Sequence, residues 1–132
     1  MSDLLDRYIE DLKNDFHIDE MNLKDAQLGL PGRKHFWASK LVNHTRDLNN
    51  LKVRKKDLVD KVAKAIIEQS PTIMPFKQAQ FKAYNHTSII KIEEQIVEVE
   101  LLVDLLSRAS DIFKSMTWDI KNITRIIELE TM

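Results

Sequence analysis

The residues with chemistry to offer fall in two neighbouring stretches. Lys52, Arg54, Lys55, Lys56, Lys61 and Lys64 crowd one segment, in which only Asp57 and Asp60 oppose them. Basic side chains at this density neutralise phosphates and release counterions, which gives affinity without sequence preference. The same cluster also suits a solvated helix face. Further along, Phe76, Lys77, Phe81, Lys82 and Tyr84 interleave aromatic with basic side chains. Aromatic faces stack unpaired bases while lysines track the backbone; equally, such aromatics can cap an oligomer core. Trp37 and Trp118 stand at apolar helix positions and read as core.

Nothing in the chain assembles into a catalyst. His17, His35, His44 and His86 show neither HExxH spacing nor the Glu-x-x-His pattern of carboxylate-bridged metals. No glycine-rich phosphate loop and no G-x-S-x-G elbow is present. Glu93, Glu94, Glu98, Glu100 and Asp104 spread around a helix instead of converging, so they read as solvated surface. No catalytic residue, no metal site and no cofactor is expected, and the reading is of a non-enzyme.

The surrounding composition narrows the class. The chain has 132 residues, 43% apolar and 31% charged, which suits one folded helical domain rather than global disorder. Two glycines and three prolines cannot supply the turns of a sandwich or barrel. The absence of cysteine excludes a disulfide framework and thiolate chemistry. No apolar run approaches a membrane span, and Met1–Glu10 lacks a signal pattern, so the expectation is a cytoplasmic protein without a membrane partner. The net charge of −1 conceals segregation: residues 1–28 carry net −5, 33–64 net +7, 65–92 net +2 and 93–132 net −5. Such a distribution points a basic surface at a polyanion, or at an acidic segment of a neighbouring subunit.

These residues need helices to position them, and the expected fold is all-α. Short N-terminal helices occupy 1–28. Ser2 caps the first, about 3–14, with Leu4, Leu5, Tyr8, Ile9 and Leu12 on one face. Asp19 caps the second, about 20–28, and Gly29-Leu30-Pro31-Gly32 breaks the chain. A long basic helix comes next over 33–69, about 55 Å long, with Trp37, Leu41, Leu48, Leu51, Leu58, Val62 and Ala65 at heptad spacing. Residues 70–86 form a connector in which the alternation of Ala79, Phe81 and Ala83 suggests a short extended piece. The last helix spans 87–131. Ser115-Met116-Thr117 marks a kink or restart in it, because Thr117 can cap a new helical segment.

The two long helices imply association. A globular chain of this length has a radius of gyration near ~14 Å, whereas a 45-residue helix spans ~68 Å. The apolar faces of 87–131 are therefore expected to bury against other chains, making it the oligomerisation helix. Ile89, Ile92, Ile96, Val99, Val103 and Leu106 form the best seam. A second stripe through Leu105, Ala109, Ile112, Met116, Ile120, Ile123 and Ile127 continues it.

The order of motifs resembles a known family. Asp11-Leu12-Lys13-Asn14-Asp15, Ile18-Asp19, Leu23, Leu30-Pro31 and Ser39-Lys40-Leu41 look like the N-terminal half of the UvsY-type recombination mediators of T-even-like bacteriophages. Lys55-Lys56 with Lys61 and Lys64 resembles that family's basic DNA-binding stretch, although an arginine is usual where Lys64 stands and Asp60 sits beside Lys61. Lys114 to Ile123 resembles its C-terminal signature, with Met116-Thr117-Trp118 in place of Arg-Gly-Phe. The resemblance implies a ring-shaped homo-oligomer that binds single-stranded DNA. It would help load a RecA-like recombinase onto strands covered by the phage single-strand-binding protein, in the cytoplasm of an infected bacterial host. A helical homo-oligomeric scaffold that pairs its own basic and acidic segments is the alternative.

Overall fold

The computed structural model describes residues 2–132, with side chains from Asp3 onward. The Ser2 side-chain cap expected for the first helix therefore lies outside the described residues. Four helices run in order: α1 Ser2–Phe16, α2 Leu23–Gln69, α3 Phe76–Ala83 and α4 Thr87–Thr131. The described residues contain no strand, and none of their helices is long and apolar enough to cross a membrane. The chain divides into two compact units, Met1–Asn43 with Leu101–Met132, and His44–Glu100.

In the first unit, α1 lays Tyr8 and Leu12 into a core with Leu30 and Trp37 of α2 and Leu102, Leu106, Phe113, Met116 and Ile120 of α4. Burying each such side chain stabilises by roughly 1.5–3 kcal/mol. The aromatics are fitted at defined angles. Tyr8 meets Trp37 edge-on at 5.5 Å, and Phe16 tilts against Phe113 at 4.8 Å. The Trp37 indole N–H donates to Asp15 Oδ2 at 2.7 Å, so the buried ring keeps its polar atom partnered. Burial pushes the Tyr8 phenol above its ordinary pKa, against a lowering contribution from Arg7. Ile9, placed on this face by its spacing, is instead exposed.

The turn between α1 and α2 is closed by reciprocal bonds. Asp19 Oδ1 accepts from the N–H groups of Met21 and Asn22 at 2.9 and 2.8 Å, and Asn22 Oδ1 accepts from the Asp19 N–H at 2.7 Å. The backbone bond from Asn22, with support from His17, holds the Asp19 carboxyl below the usual carboxylate range. Asp19 thus closes the turn before α2, and Leu23 begins one long helix instead of the short one expected over 20–28.

The break expected at Gly29–Gly32 does not occur. α2 runs straight through Pro31. Proline removes one helical N–H bond and crowds the preceding turn, but tertiary contacts on either side hold the helix together. Leu30 is buried, the Arg33 guanidinium donates to Asp15 O at 3.0 Å, and Trp37 anchors the next turn. Helices in proteins draw most of their stability from such packing. The long helix therefore begins at Leu23, ten residues before the expected start at Arg33.

The second unit is held by Val59, Ala83 and Ile89, with Leu58, Val62 and Ile66 packed around them. Pro71 comes just after the end of α2, and the connector then forms a helix where an extended piece was expected. Ala79 and Ala83 are completely buried and stand four residues apart, one helical turn. That face, rather than the period-two alternation, decides the structure. α4 is unbroken across 115–117. The Ser115 hydroxyl donates back to Asp111 O at 3.3 Å, and Thr117 Oγ1 accepts from Lys34 Nζ at 3.1 Å, so neither side chain caps a restart.

Candidate nucleic-acid interface

The two sequence clusters come together in the second unit. Phe76 and Gln80 of α3 and Tyr84, the residue that ends it, succeed one another at four-residue steps and share one face. On α2, Lys52, Lys56 and Val59 follow at steps of four and three and also share a face, with Lys55 and Asp60 at the margins. These two faces line a common groove of about 390 Å³. Lys52 and Lys56 are exposed, and Phe76 and Tyr84 are 41% and 51% exposed, which leaves aromatic residues at the surface beside solvated cations. Asp60 stands at the margin, where its Oδ1 accepts from the Gln80 amide N–H at 2.9 Å.

Lys55 is already engaged. It forms an ion pair with Glu93 of α4, and its ammonium lies 5.6 Å from the Tyr84 ring centroid. It thereby fixes the tyrosine at the groove wall and has less charge to spare for a ligand than its neighbours.

The remaining basic residues do not converge. Arg54, Lys61 and Lys64 are exposed on other faces of α2 and do not line the groove. A step of 100° per residue puts Lys61 about half a turn from Lys52, so the cluster does not form one broad face. Lys77 is exposed on α3 outside the groove, as are Lys82 and Phe81, the latter at 76%. Trp37 is core as expected. Trp118 is not: it is 66% exposed, with Lys121 Nζ 5.3 Å from its ring.

The expected oligomer seam is largely consumed inside the chain. Ile89, Ile92, Ile96, Leu106 and Ile120 are buried within the units, and Val103 and Ile123 are half-buried, as is Val99. Leu106 and Ile120 pack with residues of α1 and α2, and Ile89 with residues of α2 and α3. The apolar residues that α4 does expose include Ile90, Val97, Leu101, Ile112 and Trp118.

His17 pairs with Asp19 and His86 Nδ1 accepts the Ser88 N–H at the start of α4, so both histidines serve turns. Among the described residues no three His, Cys, Asp or Glu side chains gather where a metal could bind.

No protein-family model and no curated protein matches the sequence. Solved structures do match. Three crystal structures of the recombination mediator protein UvsY of bacteriophage T4, from different lattice types, superpose with TM-scores of 0.82, 0.80 and 0.75. Each is 19% identical to this chain; they cover 96%, 97% and 92% of it, and 98%, 98% and 96% of their own chains. The correspondence runs through nearly the whole length of both chains, and the chain has the fold of the T4 recombination mediator UvsY.

Proposed function

We propose that the protein is a non-enzymatic recombination mediator that binds single-stranded DNA. In this reading it acts as a ring-shaped homo-oligomer in the cytoplasm of an infected bacterial host. It helps a RecA-like recombinase load onto strands covered by single-strand-binding protein, in recombination, repair and recombination-dependent replication. The observation that carries the reading is the groove of the second unit, where Lys52 and Lys56 face Phe76 and Tyr84. Cations beside open aromatic faces suit a flexible strand with unpaired bases, because phosphate attraction and stacking both tolerate any sequence. The shared fold with T4 UvsY supports the mediator role. Lys52, Lys55, Lys56, Arg54, Lys61, Lys64, Lys77 and Lys82 all add positive potential to this unit, with Lys52 and Lys56 making the direct contacts.

A scaffold without nucleic-acid binding is the second reading, and the Lys55–Glu93 pair favours it, since there the basic segment does neutralise an acidic one of its own chain. A fluorescence titration with labelled single-stranded DNA at two salt concentrations separates the two. The mediator reading expects binding that weakens steeply with salt and ignores base sequence. No binding at low salt leaves the scaffold.

A further inference from the structure

The first unit carries a cationic groove that the DNA site does not use. It encloses about 790 Å³ along α2 and α4, floored by Leu30, Pro31 and Ile120 and edged by Lys34, Lys121 and Arg125, with Glu128 as a carboxylate at one end. None of the three cations is ion-paired among the described residues: Lys34 donates to a hydroxyl and Lys121 lies over an indole. The second unit presents the opposite character. On α4, Ile90 and Val97 are about half-exposed, at 46% and 48%, and Glu94 and Glu98 beside them are exposed and without an ion pair among the described residues. Positions 90, 94, 97 and 98 share one stripe of the helix.

We infer that the acidic, apolar α4 stripe of one copy seats in the cationic groove of the next. Ile90 and Val97 cover the Leu30–Pro31–Ile120 floor, and Glu94 and Glu98 reach Lys34, Lys121 and Arg125. The dimensions agree: the α4 wall of the groove, Thr117 to Glu128, runs about 16 Å, and the stripe from Ile90 to Glu98 about 12 Å. Charge complementarity sets the register, and the covered aliphatic surface supplies the driving force. Because the two faces belong to different units, the contact is head-to-tail, and copies joined this way close into a ring or propagate as a filament.

The inference rests on the homo-oligomeric assembly proposed above, and charge reversal tests it. Lys121→Glu with Arg125→Glu, and separately Glu94→Lys with Glu98→Lys, should each reduce the light-scattering mass of the full chain to that of single chains. Mixing the two variants in equal amounts should restore an assembly, because each reversed face then meets its complement. Either variant keeping wild-type mass, or a mixture that stays monomeric, overturns the interface. A mixture that assembles also shows that both variants are folded. DNA binding is read on the same samples. Assembly that responds as expected without any salt-dependent DNA binding leaves the interface standing and removes the mediator reading.

Discussion

The two units spend their apolar residues differently. The first buries large aromatic and aliphatic side chains of three helices, with Phe113, Leu102 and Met116 almost inaccessible. The second closes on Val59, Ala83 and Ile89 and leaves Phe76, Phe81 and Tyr84 at its surface. The alanines at the α3 contact bring helices close, but they bury little area. A unit whose buried side chains are smaller gives up less apolar area when it opens. The first unit therefore holds the larger buried side chains, and the second leaves its basic and aromatic side chains at the surface.

The comparison breaks most visibly at Phe113. Phe113→Ala removes a ring from the centre of the larger core and should cost about 3–5 kcal/mol, enough to unfold a marginal chain. Ile89→Val in the smaller core should cost only about 0.5–1.5 kcal/mol. Urea denaturation followed by circular dichroism reads both. A loss at Ile89, from one methyl group, as large as the loss of the Phe113 ring would mean that the second core is the more tightly packed of the two.

A smaller effect, of opposite sign, is expected at Gly32. It sits inside α2, a Cβ there meets nothing within 4 Å, and no residue of positive φ was found among the described residues. Gly32→Ala should raise stability by about 0.5–1 kcal/mol. A loss in thermal melting would show that the helix needs flexibility beside Pro31.

The mildest expected effect is at Asp19, where it depends on pH. Its carboxyl titrates below the ordinary range because the ionised form accepts the turn's N–H bonds. A group with a depressed folded pKa contributes stability above its unfolded pKa and loses it as pH falls through the folded value. Asp19→Ala should lower the melting temperature at neutral pH, and the gap to wild type should close as the solution is acidified below the usual carboxylate range. A gap that persists in acid would assign the effect to packing instead.

Much of this fold was legible because helical periodicity is a local signal. The apolar stripe of α1 and the Gly- and Pro-free run of α4 both became helices, with ends close to those expected. Gly29 to Gly32 misled because turn propensity is also local, while the contacts of Leu30, Arg33 and Trp37 that override it come from distant residues. The α4 seam is open to two readings for a different reason. A heptad pattern reports burial but does not distinguish a partner chain from the same chain folding back, and Ile89, Ile96 and Leu106 are covered by their own units. Both halves of the candidate site were visible as composition. Their meeting was not, because it requires α3 to be a helix whose Phe76–Gln80–Tyr84 face turns toward Lys52 and Lys56.

That meeting is the centre of the account, and the salt dependence of single-stranded DNA affinity tests it most directly in paired variants. Each lost phosphate contact should lower the slope of log affinity against log salt by about 0.7. Lys52→Ala with Lys56→Ala should therefore flatten the slope by about 1.4, whereas Lys61→Ala with Lys64→Ala changes it much less. Phe76→Leu with Tyr84→Leu should weaken binding while preserving the slope, because stacking releases no counterions. A wild-type slope in Lys52→Ala/Lys56→Ala together with a flattened one in Lys61→Ala/Lys64→Ala would place the strand on the far face of α2 and contradict the groove.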